Sequence, residues 1–122
     1  NVFSLSKKHV KIEEHFDDIF LSTKTAMPLG FIINELATNA MKHGFAAGND
    51  AVFSVDLRKD DAANHYILTI SNTGKQFPKD VTLDNPETLG LQLISALVEQ
   101  IGGTIQLQRQ PHPVFTIRFP GD

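Results

Sequence analysis

The chain has 122 residues, 41% of them hydrophobic and 20% charged, with a formal net charge of -3 and no cysteine. Those values describe one globular domain with enough length to bury a core. They exclude disulfides and thiolate metal sites, and the scattered Lys and Arg form no basic nucleic-acid footprint. No apolar run approaches the ~20 residues of a membrane span, so the sequence predicts no membrane contact. Cysteine-free composition suits a reducing cytoplasm. The chain opens on Asn1 rather than Met and reads as a fragment of something longer. Residues 1–8 then form the tail of a preceding segment, and 9–122 form a single domain.

In chain order, Val10, Ile12 and Phe16 alternate with polar neighbours and predict a partly exposed strand over His9–Phe16. Asp17-Asp18 turn the chain, Ile19–Leu21 are briefly apolar, and Met27-Pro28 mark a helix start with proline in the first turn. The helix runs over Pro28–His43 and Gly44 stops it. Phe45–Asp50 is a loop. Ala51, Phe53, Val55 and Leu57 alternate as a half-buried strand; Arg58–Asn64 connect it to a strand carrying Tyr66, Leu68 and Ile70. Ser71–Pro78 break the pattern, and Lys79–Thr88 form a loop. Leu91, Ile94, Leu97, Val98 and Ile101 recur at helical spacing, with Leu93 widening the stripe; Gly90 opens this helix and Gly102-Gly103 close it. Ile105 and Leu107 mark a further strand, Gln110–Pro113 turn, and Phe115, Ile117 and Phe119 finish. The predicted architecture is an α/β (α+β) two-layer sandwich: a mixed, mostly antiparallel sheet with helices on one face.

The long helix organises the rest. At about 3.6 residues per turn, Leu29, Ile32, Ile33, Leu36, Ala37 and Ala40 form an apolar stripe. Glu35, Asn39 and His43 follow at i, i+4, i+8 along the other edge, with Lys42 beside them. A carboxylate, an amide, an ammonium and an imidazole in one row suit a metal–phosphate group. Taken alone, the spacing is better explained by an ordinary amphipathic helix with a solvated polar face. Two later stretches add to it. Asn72-Thr73-Gly74 is a turn directly after a strand, and Thr88-Leu89-Gly90-Leu91 places glycine where a helix begins. A helix start offers unpaired N–H groups and partial positive charge, and glycine lets a phosphate come close. Of the remaining histidines, His9, His15, His65 and His112 lack metal-site spacing and read as exposed or locally satisfied imidazoles.

In this combination and order the segments resemble a known family. NELATNAMKH is similar to the N-box of the GHKL ATPases, the ATP-binding domain shared by sensor histidine kinases. PLGFIINELATNAMKHGF, LGLQLISALVEQIGGTIQL and FTIRFP resemble more specifically the catalytic domain of the HisKA_2 and HWE-like group of histidine kinases, over about Val10 to Pro120. The resemblance implies a Bergerat fold with ATP between helices and sheet. It implies catalytic roles for Glu35, which would polarise a water or the incoming nucleophile, and for Asn39, which would hold Mg²⁺. It implies that Lys42 and His43 face the phosphates and that Leu89, Gly90 and Leu91 cradle them by their backbone. Asn72 and Gly74 would meet the base. The implied partners are ATP, a histidine-bearing dimerisation domain of the same protein and a response regulator receiver domain. No segment resembles a phospho-acceptor box, so the fragment alone is expected to bind nucleotide with little turnover.

The chain departs from the family where the pattern usually reads Asp-x-Gly-x-Gly. Here Asn72-Thr73-Gly74-Lys75-Gln76 replaces the carboxylate by an amide and the second glycine by glutamine. Losing a charge-assisted hydrogen bond to the adenine amino group costs ~1–2 kcal/mol, which weakens binding without abolishing it. The lid, Lys79–Leu89, is short and carries no aromatic clamp. These changes keep a degenerate docking module open as an alternative, and the N-box keeps open an anti-sigma-type serine kinase.

Overall fold

The computed structural model describes residues 10–40, 51–73, 89–109 and 111–121. The elements run β1 (Val10–Phe16), α1 (Thr23–Asn39), β2 (Ala51–Asp60), β3 (His65–Asn72), α2 (Leu89–Gln100), β4 (Thr104–Gln108) and β5 (Val114–Pro120). The strands form one sheet in the order β1-β2-β3-β5-β4. β1 pairs with β2 in parallel, and the other pairs are antiparallel. This is the two-layer, mixed-sheet sandwich that the order of patterns predicts. Among the described residues no helix is long and apolar enough to cross a membrane.

Alternation puts Phe53, Val55 and Leu57 of β2, Tyr66, Leu68 and Ile70 of β3, and Phe115, Ile117 and Phe119 of β5 on one sheet face, where all are buried. Register aligns these rows, with Leu57 opposite Leu68 and Leu68 opposite Ile117. The helices cover them with Leu29, Ile32 and Leu36 from α1 and Leu91, Ile94 and Val98 from α2. Ile33, Ala37, Leu97 and Ile101 pack against this core from its margin. Leu93 does not join it and remains 41% exposed, so the α2 stripe is narrower than its sequence suggests. β1 is an edge strand, and Ile12 and Phe16 stay exposed as the pattern predicted.

Three boundaries differ from the sequence expectation. α1 begins at Thr23 rather than Pro28, with Ser22 extended at the N-cap and its carbonyl accepting from the Thr25 and Ala26 N–H groups. Pro28 therefore lies inside the helix. Its ring removes one backbone bond, to the carbonyl of exposed Lys24, where water can substitute. The β2–β3 connection contracts to Asp61–Asn64, because Arg58 and Lys59 continue the ladder opposite Ile67 and Tyr66. Asn64 takes a φ of +53°, a conformation asparagine tolerates. Asn72 belongs to the end of β3, opposite Phe53, rather than to the turn beyond it. The predicted end of α1 at Gly44, the loop Phe45–Asp50 and the lid Lys79–Thr88 lie outside the described residues.

Two junctions fix the layers. Asp17 donates its N–H to the Leu57 carbonyl and accepts from the Lys59 N–H, so the predicted turn after β1 is anchored on β2. At the end of α2, Gly102 has φ +71°, its N–H reaching the Glu99 carbonyl while that of Gly103 reaches Val98. That left-handed closure needs glycine and turns the chain directly into β4.

Candidate functional site

The topology gathers one end of the sandwich. α1 leaves the far end of β1 and runs back along the sheet, so it finishes near the start of β2. β3, antiparallel to β2, finishes at that same end. α2 starts there, and its second residue, Gly90, reports how closely it approaches α1. A Cβ built on Gly90 would fall 3.0 Å from Glu35 Oε2 and 3.5 Å from both Asn39 Nδ2 and Asn39 Oδ1. The backbone of the first turn of α2 is therefore seated on the Glu35–Asn39 row, and any side chain larger than glycine's would press on the tip of Glu35. Gly90 thus meets two sequence-predicted residues that lie about fifty positions earlier in the chain.

Burial refines the picture of the row. Asn39 is only 8% exposed and Glu35 is half-buried, so neither lies on a freely solvated face. Thr38, on the same side in the sequence, bonds the Asn34 carbonyl of its own helix at 2.9 Å. The first turn of α2 carries no acidic residue, so nothing on α2 itself offsets the positive end of its helix. The half-buried Glu35 carboxylate lies beside that end. Leu91 is buried in the core, so any ligand contact from it is through backbone. Leu89 is the first residue of α2. Lys42, His43 and Gly74 lie outside the described residues.

Asn72, the residue expected to meet the base, ends β3 on the sheet. It shares the helix-facing side with Ile70 and Leu68 and is 4% exposed. Its N–H donates to the Pro113 carbonyl on the β5 side at 3.3 Å. On the β2 side, the Thr73 N–H donates to the Val52 carbonyl and the Val52 N–H donates to Thr73 Oγ1, both at 3.0 Å. In the sequence Thr73 stands only as the middle of the turn Asn72-Thr73-Gly74. The only hint available there was a hydroxyl residue where a strand stops.

A groove of about 360 Å³ lined by Met27, Pro28, Phe31 and Leu97 lies at the opposite end of the helix pair. It holds none of the residues above. Also away from the site, Arg58 forks onto Asp56 at 2.8 and 3.1 Å on the outer sheet face, which raises its guanidinium above the ordinary value.

The donor set can be tested against a magnesium–nucleotide group. Among the described residues no cluster of three or more His, Cys, Asp or Glu side chains could hold a metal, and no buried side-chain atom is orphaned. Magnesium with a nucleotide needs no such cluster, since it takes one or two protein oxygens and completes its shell with phosphate and water. A carboxylate and an amide beside a glycine-lined helix start fit that requirement.

With this geometry the chain falls into a defined class. The model of the histidine kinase-, DNA gyrase B- and HSP90-like ATPase family matches residues 25–122, and the chain belongs to that family. Among its relatives, Blue-light-activated histidine kinase 2 of Erythrobacter litoralis is 26% identical over 101 residues, covering 82% of this chain and 29% of that protein. Sensor histidine kinase PdtaS of Mycobacterium tuberculosis is 28% identical over 89 residues, covering 72% of this chain and 18% of that protein. The chain thus spans less than a third of the curated relatives it matches. The solved histidine kinase domain of a blue-light activated histidine kinase from Erythrobacter litoralis superposes with a TM-score of 0.83 at 22% identity, over 91% of this chain and 54% of that one. The catalytic domain of histidine kinase ThkA superposes at 0.72 and 15% identity, over 92% and 78%. These likenesses establish the GHKL histidine-kinase fold.

Proposed function

We propose that this chain is the ATP-binding catalytic domain of a two-component sensor histidine kinase, working in the cytoplasm. The observation that carries the reading is the seat of the Gly90 backbone on Glu35 and Asn39. A helix start, a carboxylate and an amide oxygen side by side suit a magnesium-bound phosphate group. Asn39 would hold Mg²⁺ through its amide oxygen. When bound, the ion neutralises phosphate charge that Glu35 would otherwise repel. Glu35 would orient and polarise the incoming nucleophile, the Leu89–Leu91 backbone would donate to the phosphates, and Asn72 would take the adenine amino group. Lys42, His43 and Gly74 complete the set on the family resemblance.

Phosphoryl transfer asks for positioning and charge neutralisation more than for covalent help, and this set supplies both. The bond from the γ-phosphorus to ADP breaks as a bond to a histidine nitrogen forms on a dimerisation domain. A response regulator receiver domain takes the group from there. The support is family membership, histidine-kinase relatives and the Gly90 geometry.

Calorimetric titration with ATP and ADP, with and without Mg²⁺, tests it. Magnesium should tighten binding, and Asn39→Ala should remove that gain, weakening binding about tenfold or more. An absence of binding at millimolar ATP would sink the reading and favour the degenerate docking module.

A further inference from the structure

The last rung between β2 and β3 departs from a regular ladder. Phe53 and Asn72 face each other across β2 and β3, and the Asn72 N–H points the other way, to Pro113. The next pair, Val52 and Thr73, is therefore one in which an antiparallel ladder exchanges both hydrogen bonds. One of the two is ordinary: the Thr73 N–H donates to the Val52 carbonyl at 3.0 Å. The other is not. The Val52 N–H, which would meet the Thr73 carbonyl in a continuing strand, meets Thr73 Oγ1 instead, also at 3.0 Å. A side chain has replaced the main chain in the last rung.

Two consequences follow from that replacement. The Thr73 carbonyl is released from pairing with Val52, so the chain can leave the sheet directly after Asn72. The Val52 donor nevertheless stays satisfied, so β2 and β3 remain clamped up to their ends. Asn72 is then held on both flanks, by the bonds of Thr73 to Val52 on the β2 side and by the Pro113 carbonyl on the β5 side, while its side-chain position stays on the buried, helix-facing side. We propose that Thr73 is a positioning residue for the base contact of Asn72, its hydroxyl substituting for a strand carbonyl so that the chain departs without loosening the asparagine. This inference rests on the ATP site proposed above and adds a residue that site does not contain.

Thr73→Val keeps the β-branched shape but deletes the acceptor, and Thr73→Ser keeps the acceptor. Affinities for ATP and for inorganic tripolyphosphate, both with Mg²⁺, separate base from phosphate effects, and amide exchange at Val52 reports the rung itself. Thr73→Val should weaken ATP by about five- to tenfold, leave tripolyphosphate unchanged and speed Val52 exchange, and Thr73→Ser should restore wild-type ATP binding within about twofold. Unchanged ATP affinity in Thr73→Val overturns the inference. So does an equal fall for ATP and tripolyphosphate, which would mark a general structural role. Wild-type protein that binds no ATP would overturn the proposed function first, before any variant is compared.

Discussion

Gly30 and Gly90 both lie in helices that pack on one sheet face, yet their surroundings are opposite. Gly30 sits on the outward side of α1, where an added Cβ would meet nothing within 4 Å. Gly90 sits in the first turn of α2, where the same atom would fall 3.0 Å from the Glu35 carboxylate. Each glycine costs its helix ~0.5–1 kcal/mol against alanine. At Gly30 nothing visible offsets that cost. At Gly90 the missing side chain leaves room for the Glu35 carboxylate beside the helix start. In the proposed site α1 therefore contributes side chains and α2 backbone.

Substitutions along this contrast are expected to act differently, and the largest effect belongs to neither glycine. Ile32 is fully buried beneath α1. Ile32→Ala should lower unfolding free energy by ~2–5 kcal/mol in urea, with nucleotide affinity of the folded fraction unchanged. A matching loss of affinity would mean that core and site are energetically one unit. Gly90→Ala comes next. The added methyl displaces the tip of Glu35 and fills the helix start, while the gain in helix propensity offsets the crowding, so ATP should bind about tenfold more weakly while the urea midpoint barely moves. Wild-type affinity in Gly90→Ala would remove the backbone cradle from the mechanism. The smallest change is Gly30→Ala, which should stabilise by ~0.5–1 kcal/mol and leave ATP binding alone. Destabilisation there would show that the outward face of α1 is covered in solution.

Much of this was legible in the sequence because periodicity is a local property. Period-two alternation in Phe53–Leu57 and Phe115–Phe119 and the apolar stripe from Leu29 to Ala40 each name their buried face without reference to any neighbour. The row Glu35–Asn39 and the glycine before Leu91 could likewise be seen as a pair of chemical signals. The start of α1 could not. Proline is so often the first helical residue that Pro28 hid the extended Ser22 and the weakly patterned turn after it. The charge of Arg58 and Lys59 suits a loop as well as an exposed strand end, and only pairing with Ile67 and Tyr66 decides between them. Leu93 fitted a helical stripe whose width only the neighbouring elements could decide.

What the sequence by itself determined, then, was the set of elements, their buried faces and the residue types available for chemistry. Hydrophobic spacing and turn residues act over a few positions, and a single chain displays them openly. The tertiary structure decided which of those residues meet. It seated Gly90 on Glu35 and Asn39, turned Asn72 from a loop residue into the buried end of a strand, and gave the Thr73 hydroxyl the place of a carbonyl opposite Val52. Those contacts join residues tens of positions apart, and their distances depend on how two helices and a twisted sheet pack together, which no local pattern encodes.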